Sequence, residues 1–269
     1  MPAGTRIRSL SLELTGRCQL TCAHCYADSS PRGRHGSMTG ADWRRVLDSA
    51  AGSGVEAVQF IGGEPTLHPE CANLVDHALA AGLRVEVFTN LVRVSRSWWS
   101  LFLRPDVSVA TSYYTSDSAA HDAFTGVRGS HARTRANIAE AVRAGVRLRV
   151  VVVGFDGAAD LACADLGALG VADIRVGHVR EIGRAARDEP PTAADLCGQC
   201  AQGRAAIDTF GNVSPCVMAR WISIGNVRQE PVDRILVSPR MAAISADFAE
   251  RRGDSDCPPV KSGPQCGDH

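Results

Sequence analysis

The sequence predicts an α/β fold: a partial (β/α)6 barrel over residues 1–185, followed by a small hairpin-plus-helix unit over 186–269. Three observations carry this. Apolar strand-like segments alternate with helix-period segments six times, the pattern of a parallel sheet with right-handed crossovers. The alternation stops near residue 185, short of the roughly 250 residues that an eight-unit barrel normally needs. Beyond that point the chain changes to a turn-centred hairpin and a cysteine-bearing tail.

Ile7, Leu10, Leu12 and Leu14 mark a first strand that ends at Thr15-Gly16. After a cysteine-containing loop and a polar connector (28–37), residues 39–51 carry Trp43, Val46, Leu47 and Ala50 at helical spacing. Thr39 is placed to cap that helix, with Asp42 three residues on. A strand over 55–61 runs directly into Gly62-Gly63-Glu64-Pro65. A helix over 69–81 then leads to a strand over 84–89, and a helix over 95–103 to a strand over 107–112. A long connection precedes a helix over 133–144 and a strand over 146–153. The sixth unit is a helix over 158–169 with a strand over 172–179. A connector (181–194) follows, then a hairpin over 205–216 turning at Phe210-Gly211-Asn212, and a helix over 239–252.

With 45% apolar and 22% charged residues among 269, the composition is that of an ordinary globular chain. Its 29 basic and 29 acidic residues cancel, so no overall field favours nucleic acid or an anionic membrane. No apolar run approaches a membrane span, and the N-terminus lacks an apolar signal core, which points to the cytoplasm. In a reducing compartment ten cysteines call for metal binding or catalysis rather than disulfides. Three cluster near the start and five follow residue 195, which suggests two metal regions.

Cys18, Cys22 and Cys25 form a C-x3-C-x2-C run on a loop. Zinc and ordinary ferredoxin sites need a fourth nearby ligand, and the next cysteine is Cys71. Three irons of a cubane would be held and one left open, a catalytic arrangement. At the other end, Cys197, Cys200 and Cys216 are followed by Cys257 and Cys266 in a tail too poor in apolar residues to fold untethered. By spacing alone those five would serve zinc as well as iron–sulfur. Cys71 and Cys163 fall in predicted helices and read as small buried hydrophobes, or as thiols able to return a hydrogen atom to a substrate radical.

Together, the cysteine run after the first strand and Gly-Gly-Glu-Pro after the second resemble the radical S-adenosylmethionine (SAM) superfamily. That resemblance implies a catalytic 4Fe-4S cluster on Cys18, Cys22 and Cys25 whose open iron is chelated by SAM. One electron then cleaves SAM to a 5'-deoxyadenosyl radical that abstracts hydrogen from a substrate. It implies a ring against the cluster at His24, and cofactor contacts from Gly62, Gly63, Glu64 and Pro65, with the Glu64 carboxylate accepting from the SAM ammonium. Asn90, Ser112 and Arg180 end the third, fourth and sixth strands, where relatives contact SAM; at Thr89-Asn90 the glycine that often follows is Leu91. The C-terminal cysteines resemble a twitch or SPASM auxiliary domain that holds a second iron–sulfur cluster on Cys197, Cys200, Cys216, Cys257 and Cys266, one thiol being spare.

The resemblance implies a radical SAM oxidoreductase that matures a ribosomally made peptide by crosslinking, oxidation or epimerisation. The alternative is a dehydrogenase or epimerase of an aminoglycoside-like sugar or cyclitol, and outside enzymes, a metal-binding interaction protein. An external electron donor such as a flavodoxin or ferredoxin is implied. Only 17 residues precede Cys18, so a peptide substrate is expected to need a separate leader-binding protein or direct recognition by the barrel.

Overall fold

A computed structural model describes residues 6–153, 158–186 and 190–251 of the chain. Six parallel strands, β1 (Ser9–Thr15), β2 (Ala57–Gly62), β3 (Arg84–Phe88), β4 (Val107–Tyr113), β5 (Leu148–Val153) and β6 (Asp173–Gly177), pair in sequence order. Helices α1 (Gly40–Gly52), α2 (Cys71–Ala80), α3 (Arg96–Phe102), α5 (Ser130–Arg143) and α6 (Ala158–Ala168) cross between them. The six expected strand–helix alternations are all present. The expected long connection after β4 holds one more helix, α4 (Ser118–Thr125), capped by the Asp117 carboxylate and ended by Gly126 at φ +70°.

Alternation along each strand separates two faces. Leu10, Leu12 and Leu14 of β1, Val58 and Phe60 of β2, and Val150 and Val152 of β5 are buried under the helices. The α1 stripe Trp43, Val46, Leu47 and Ala50 closes on them, so its 3.6-residue period is satisfied by the sheet. The α1 cap forms as the sequence suggests: Thr39 Oγ1 accepts from the Asp42 amide, and Asp42 returns a bond to the Thr39 amide at 2.8 Å.

The opposite face lines the barrel interior and carries a polar ladder. Ser11 Oγ donates to Gln59 Oε1 at 3.0 Å, and Gln59 Nε2 donates to Glu86 Oε1 at 2.6 Å. Arg149 Nη2 and Nε complete it with bonds to both Glu86 oxygens, at 2.7 and 3.2 Å. The ladder spans β1, β2, β3 and β5 and forms a floor beneath the strand C-termini.

The C-terminal segment does not form a layer of its own. β7 (Arg204–Ile207) pairs parallel with β1, from Ser9↔Arg204 to Leu12↔Ile207. β8 (Asn212–Ser214) and β9 (Gly225–Asn226) extend the sheet antiparallel, giving nine strands in the order β6-β5-β4-β3-β2-β1-β7-β8-β9. One continuous sheet therefore runs across the expected division at residue 185, and the hairpin covers the open β1 edge, whose unpaired amides would otherwise be exposed. A short helix α7 (Val232–Leu236) and α8 (Pro239–Arg251) follow. No helix among the described residues is long and apolar enough to cross a membrane.

Removing Glu86 strands both a guanidinium and an amide inside the barrel. Glu86→Ala is expected to lower unfolding free energy in urea by about 1–3 kcal/mol, the scale of leaving interior polar groups unsatisfied. Glu86→Ala combined with Arg149→Met is expected to lose less than the sum of the single changes, because the two share one interaction.

Candidate active site

The loop between β1 and α1 carries Cys18, Cys22 and Cys25, and neighbouring elements hold it in place. Thr21 and Ala23 donate their amides to the carbonyls of Thr125 and Phe124, at 3.0 and 2.9 Å, at the end of α4. A Cβ on Gly126 would lie 2.1 Å from Thr21 Oγ1, so that approach requires glycine. From beyond β6, Arg184 Nε donates to the Cys22 carbonyl at 2.9 Å and Nη2 to the Ser29 carbonyl at 2.7 Å. The same guanidinium pairs with Asp28 through Nη1, and the Arg184 amide donates to the Cys25 carbonyl.

All three cysteines line one cavity of about 380 Å3 at the C-terminal ends of the strands. Amides point at the sulfurs: Leu20 N lies 3.4 Å from Cys18 Sγ and Ser29 N 3.3 Å from Cys25 Sγ, with Asn90 Nδ2 3.6 Å from Cys18 Sγ. Burial pushes the Cys18 thiol up to about 12 and Cys22 to about 11. Loading a metal cluster must therefore displace protons, and the N–H donors then stabilise the thiolates that remain. Three cysteines around one cavity, with N–H donors directed at Cys18 and Cys25, suit a 4Fe-4S cluster with one iron left to a ligand by donor chemistry, although among the described residues no three ligating side chains stand gathered as a metal site.

His24 lines the same cavity, stacked on Phe124 at 4.6 Å and edge-on to Tyr114 at 5.0 Å. Burial lowers its pKa to about 4, so its ring is neutral. The backbone of Gly62 and Gly63 lines the wall beside it. Gly62 has φ +138°, and Cβ atoms on Gly62 and Gly63 would meet Thr15 O at 2.5 Å and Arg17 O at 2.4 Å. Those glycines let the β2 end close against the β1 end. Asn90, Ser112 and Arg180 also reach the cavity, and Arg180 Nη1 donates to the Asp195 carbonyl at 3.0 Å.

Glu64 and Pro65 are placed differently from expectation. Glu64 is 1% exposed and turned away from the cavity. Its Oε1 accepts from Thr66 N, Thr66 Oγ1 and Thr89 Oγ1, and its Oε2 from the Asn90 amide at 2.9 Å. With both oxygens engaged, the carboxylate joins the β2 loop to the β3 loop. Pro65 is buried at the start of a 3-10 turn over Pro65–Leu67. Burial raises the Glu64 pKa while these donors oppose the rise.

At the second cysteine group, Cys200 Sγ lies 2.9 Å from Cys216 Sγ, with Cys197 three residues before Cys200. Contact with Cys200 lowers the Cys216 pKa, with burial opposing and the Met218 and Ala219 amides assisting. At that separation the two sulfurs are closer than ligands of one metal or cluster stand, so ligation requires them to part; Cys257 and Cys266 lie outside the described residues. Cys71 is fully buried in the core on the helix side of the sheet, away from the cavity, and its thiol is pushed well up. Cys163 sits in α6, packed against that same core, and is disulfide-bonded, so it is not the free thiol the sequence suggested.

Several cavity residues escaped the sequence reading. Tyr114 shares the parity of Ser112, and two more steps of β4 alternation would have found it. Arg184 and its neighbour Gly183, whose Cβ would lie 2.3 Å from the Cys25 carbonyl, carry no periodic signal. Val217 and Met218 reach the cavity from the hairpin side. From the same segment, Arg220 pairs with Glu13 of β1 and lies over the Tyr26 ring, 5.5 Å from its centroid.

Leu91, in place of the frequent glycine, adopts φ +54° and is fully buried. Leu91→Gly relieves about 1–2 kcal/mol of left-handed strain but removes about 1.5–3 kcal/mol of side-chain burial. Net destabilisation in denaturant titration is the expected outcome. Burial also lowers the pKa of both His68 and His121 from 6.5 to about 4. The unfolded chain takes up these protons first, so stability of the apoprotein falls from about pH 6.5 and levels off near pH 4. Urea midpoints between pH 7 and 4 should fall less steeply in a His68→Asn, His121→Gln variant.

Comparison with known proteins agrees with this arrangement. Over 289 aligned residues the chain is 26% identical to the antilisterial bacteriocin subtilosin biosynthesis protein AlbA of Bacillus subtilis (strain 168), covering 92% of this chain and 64% of AlbA. It is 33% identical over 123 residues to the PqqA peptide cyclase of Rhodopseudomonas palustris, covering 45% of this chain and 33% of the cyclase. The chain thus spans under two thirds of the length of these relatives. Among solved structures, Streptococcus suis SuiB bound to precursor peptide SuiA superposes with TM-score 0.73 at 16% identity, covering 90% of this chain and 67% of SuiB. BtrN in complex with AdoMet and 2-DOIA superposes with TM-score 0.56 at 16% identity, covering 96% of each chain. Residues 197–266 match the SPASM iron–sulfur cluster-binding domain. Residues 12–161, more than half the chain and including Cys18, Cys22, Cys25 and the Gly-Gly-Glu-Pro turn, match the radical SAM superfamily, and the chain belongs to that superfamily.

Proposed function

We propose that this chain matures a ribosomally made peptide by hydrogen abstraction at a residue's Cα or Cβ, as a radical SAM enzyme with one auxiliary iron–sulfur cluster. The observation that carries the reading is a 92% span of this chain aligned with a bacteriocin biosynthesis protein, together with an intact cysteine loop opening on the strand-end cavity. When bound, the cluster and SAM supply a 5'-deoxyadenosyl radical.

The chain's own residues would do the rest. Cys18, Cys22 and Cys25 would hold the catalytic cluster, with His24 and Tyr114 forming an aromatic wall beside it. The Gly62-Gly63 backbone, Asn90, Ser112 and Arg180 would orient the cofactor. Ile61, Phe88, Val151, Val153, Val217 and Met218 line the same space and would keep water and stray hydrogen donors from the radical. Cys197, Cys200 and Cys216, with Cys257 or Cys266, would hold a second cluster able to accept an electron from the peptide radical left by hydrogen abstraction. The supporting observation for a cyclitol or aminosugar substrate is the end-to-end match in fold to BtrN. The peptide reading is preferred because it rests on sequence relatives as well as fold. We place the division between barrel and auxiliary unit near residue 185, and expect a separate leader-binding protein where the substrate needs one.

Iron and sulfide analysis after anaerobic reconstitution tests the cluster count. About eight irons, falling to about four in the Cys18/Cys22/Cys25 triple alanine variant, is expected for two cubane clusters. Zinc without iron in that variant would remove the auxiliary cluster from the reading. Cys22→Ala is expected to abolish 5'-deoxyadenosine formation. Mass spectrometry of the short peptides encoded beside the gene, after incubation with the reconstituted enzyme, should show loss of hydrogen or epimerisation. Turnover of an aminocyclitol and of none of the peptides would favour the second reading.

A further inference from the structure

The catalytic reading requires one electron to reach the cysteine loop, and it cannot enter through the cavity that cofactor and substrate would fill. One approach is the outer side of the loop, where the connector lies against residues 16–18. The connector is tightly docked: Gly16 donates to the Arg34 carbonyl at 2.8 Å and Cys18 to the Ser30 carbonyl at 3.0 Å. A Cβ on Gly33 would lie 1.9 Å from the Gly16 carbonyl, so these two segments touch backbone to backbone.

These two segments present Arg17, Arg32 and Arg34, all exposed and none in an ion pair among the described residues. Val92 and Val127, which pack with Cys18 and Leu20, are each followed in sequence by an exposed arginine, Arg93 and Arg128. The nearby carboxylates are engaged. Asp28 pairs with Arg184, Glu64 is buried among its donors, and Asp122 accepts from the Gly129 and His131 amides. The chain as a whole is neutral, so this concentration of unpaired positive charge is local.

We propose that the face formed by Arg17, Arg32 and Arg34 is the docking surface for an acidic one-electron carrier protein that reduces the catalytic cluster. Such encounters are small and transient, and complementary charge raises their association rate rather than building a permanent interface. In the step itself a reduced flavin hydroquinone gives up one electron and becomes the semiquinone, and the oxidised cluster gains that electron. This inference rests on the proposed function and adds the route by which it is supplied.

The probe is a flavodoxin of strongly negative net charge, used with the reconstituted holoprotein. Binding of the oxidised flavodoxin is measured calorimetrically over a range of salt concentrations, and cluster reduction by the hydroquinone is followed by stopped flow. Neutralising Arg17, Arg32 and Arg34 together (each Arg→Gln) is expected to weaken binding and slow reduction by about tenfold or more, the lower end of electrostatic steering. The salt dependence of both should flatten. Arg96, Arg234 and Arg240, also exposed but remote in sequence, serve as a control triple with the same net charge, expected to behave as wild type. Reduction by dithionite and iron content should be unchanged in both triples. Unaltered flavodoxin binding and rate, or equal losses in the two triples, would overturn the surface. Equal slowing with dithionite would also overturn it, since the arginines would then act on the cluster itself. Failure of wild type to cleave SAM with dithionite would instead strike the proposed function. Should the glutamine triple lose iron, the single Arg32→Glu change, at the one of the three positions for which no hydrogen bond to the loop is formed among the described residues, must still slow the flavodoxin reaction selectively, or the proposal fails.

Discussion

The cysteine loop has no helix or strand of its own, so its backbone groups must be satisfied by the elements around it. That requirement organises the top of the barrel. The end of α4 supplies carbonyls to Thr21 and Ala23, the connector supplies one to Cys18, and Arg184 supplies donors to Cys22 and Ser29. Each anchor comes from a different part of the chain. A loop anchored in this way has much of its backbone ordered during folding, which lowers the entropy left to lose when a ligand binds there.

Glu64 shows how such a scaffold differs from a set of contact residues. A carboxylate accepting four bonds from two loops is a junction, and its full burial is tolerated because every donor is in place. Through Asn90 the junction continues to Cys18, since Asn90 gives its amide N–H to Glu64 and its side-chain Nδ2 to the sulfur. The turn thus positions the cluster side of the cavity while its glycines set how closely β1 and β2 approach.

What could be read from the sequence follows from periodicity. Alternation in β1 to β6 and the 3.6-residue stripe in α1 announced which side chains meet the core, and the capping box at Thr39 announced where a helix starts. Short local motifs placed the cysteines. What escaped depends on long-range geometry. The pairing of β7 with β1 joins residues nearly two hundred positions apart, and Arg-Ala-Ala-Ile carries no mark of its partner. α4 is only eight residues long and has a modest apolar face, so it passed as connection. Arg184 sits in a stretch rich in alanine and charge, where nothing sets one arginine apart until the fold brings it to the loop. The hydrogen bonds that bury Glu64 were hidden for the same reason: its partners Thr89 and Asn90 come from another loop.

β1 links the two cysteine regions physically. Its C-terminus leads into Cys18, its free edge receives β7, and its interior face carries Glu13, 1% exposed, paired with Arg220 four residues beyond Cys216. Burial raises the Glu13 pKa and the neighbouring guanidinium opposes that rise. A buried pair of this kind adds little net stability over an apolar replacement, but separating its partners leaves a charge uncompensated. The same guanidinium covers the Tyr26 ring, adjacent in sequence to Cys25. The segment after Cys216 is thereby tied to the loop that carries Cys25, through a contact that tolerates only one arrangement of the two. A shared sheet edge and one directional ion pair thus tie the two cysteine regions to a single strand.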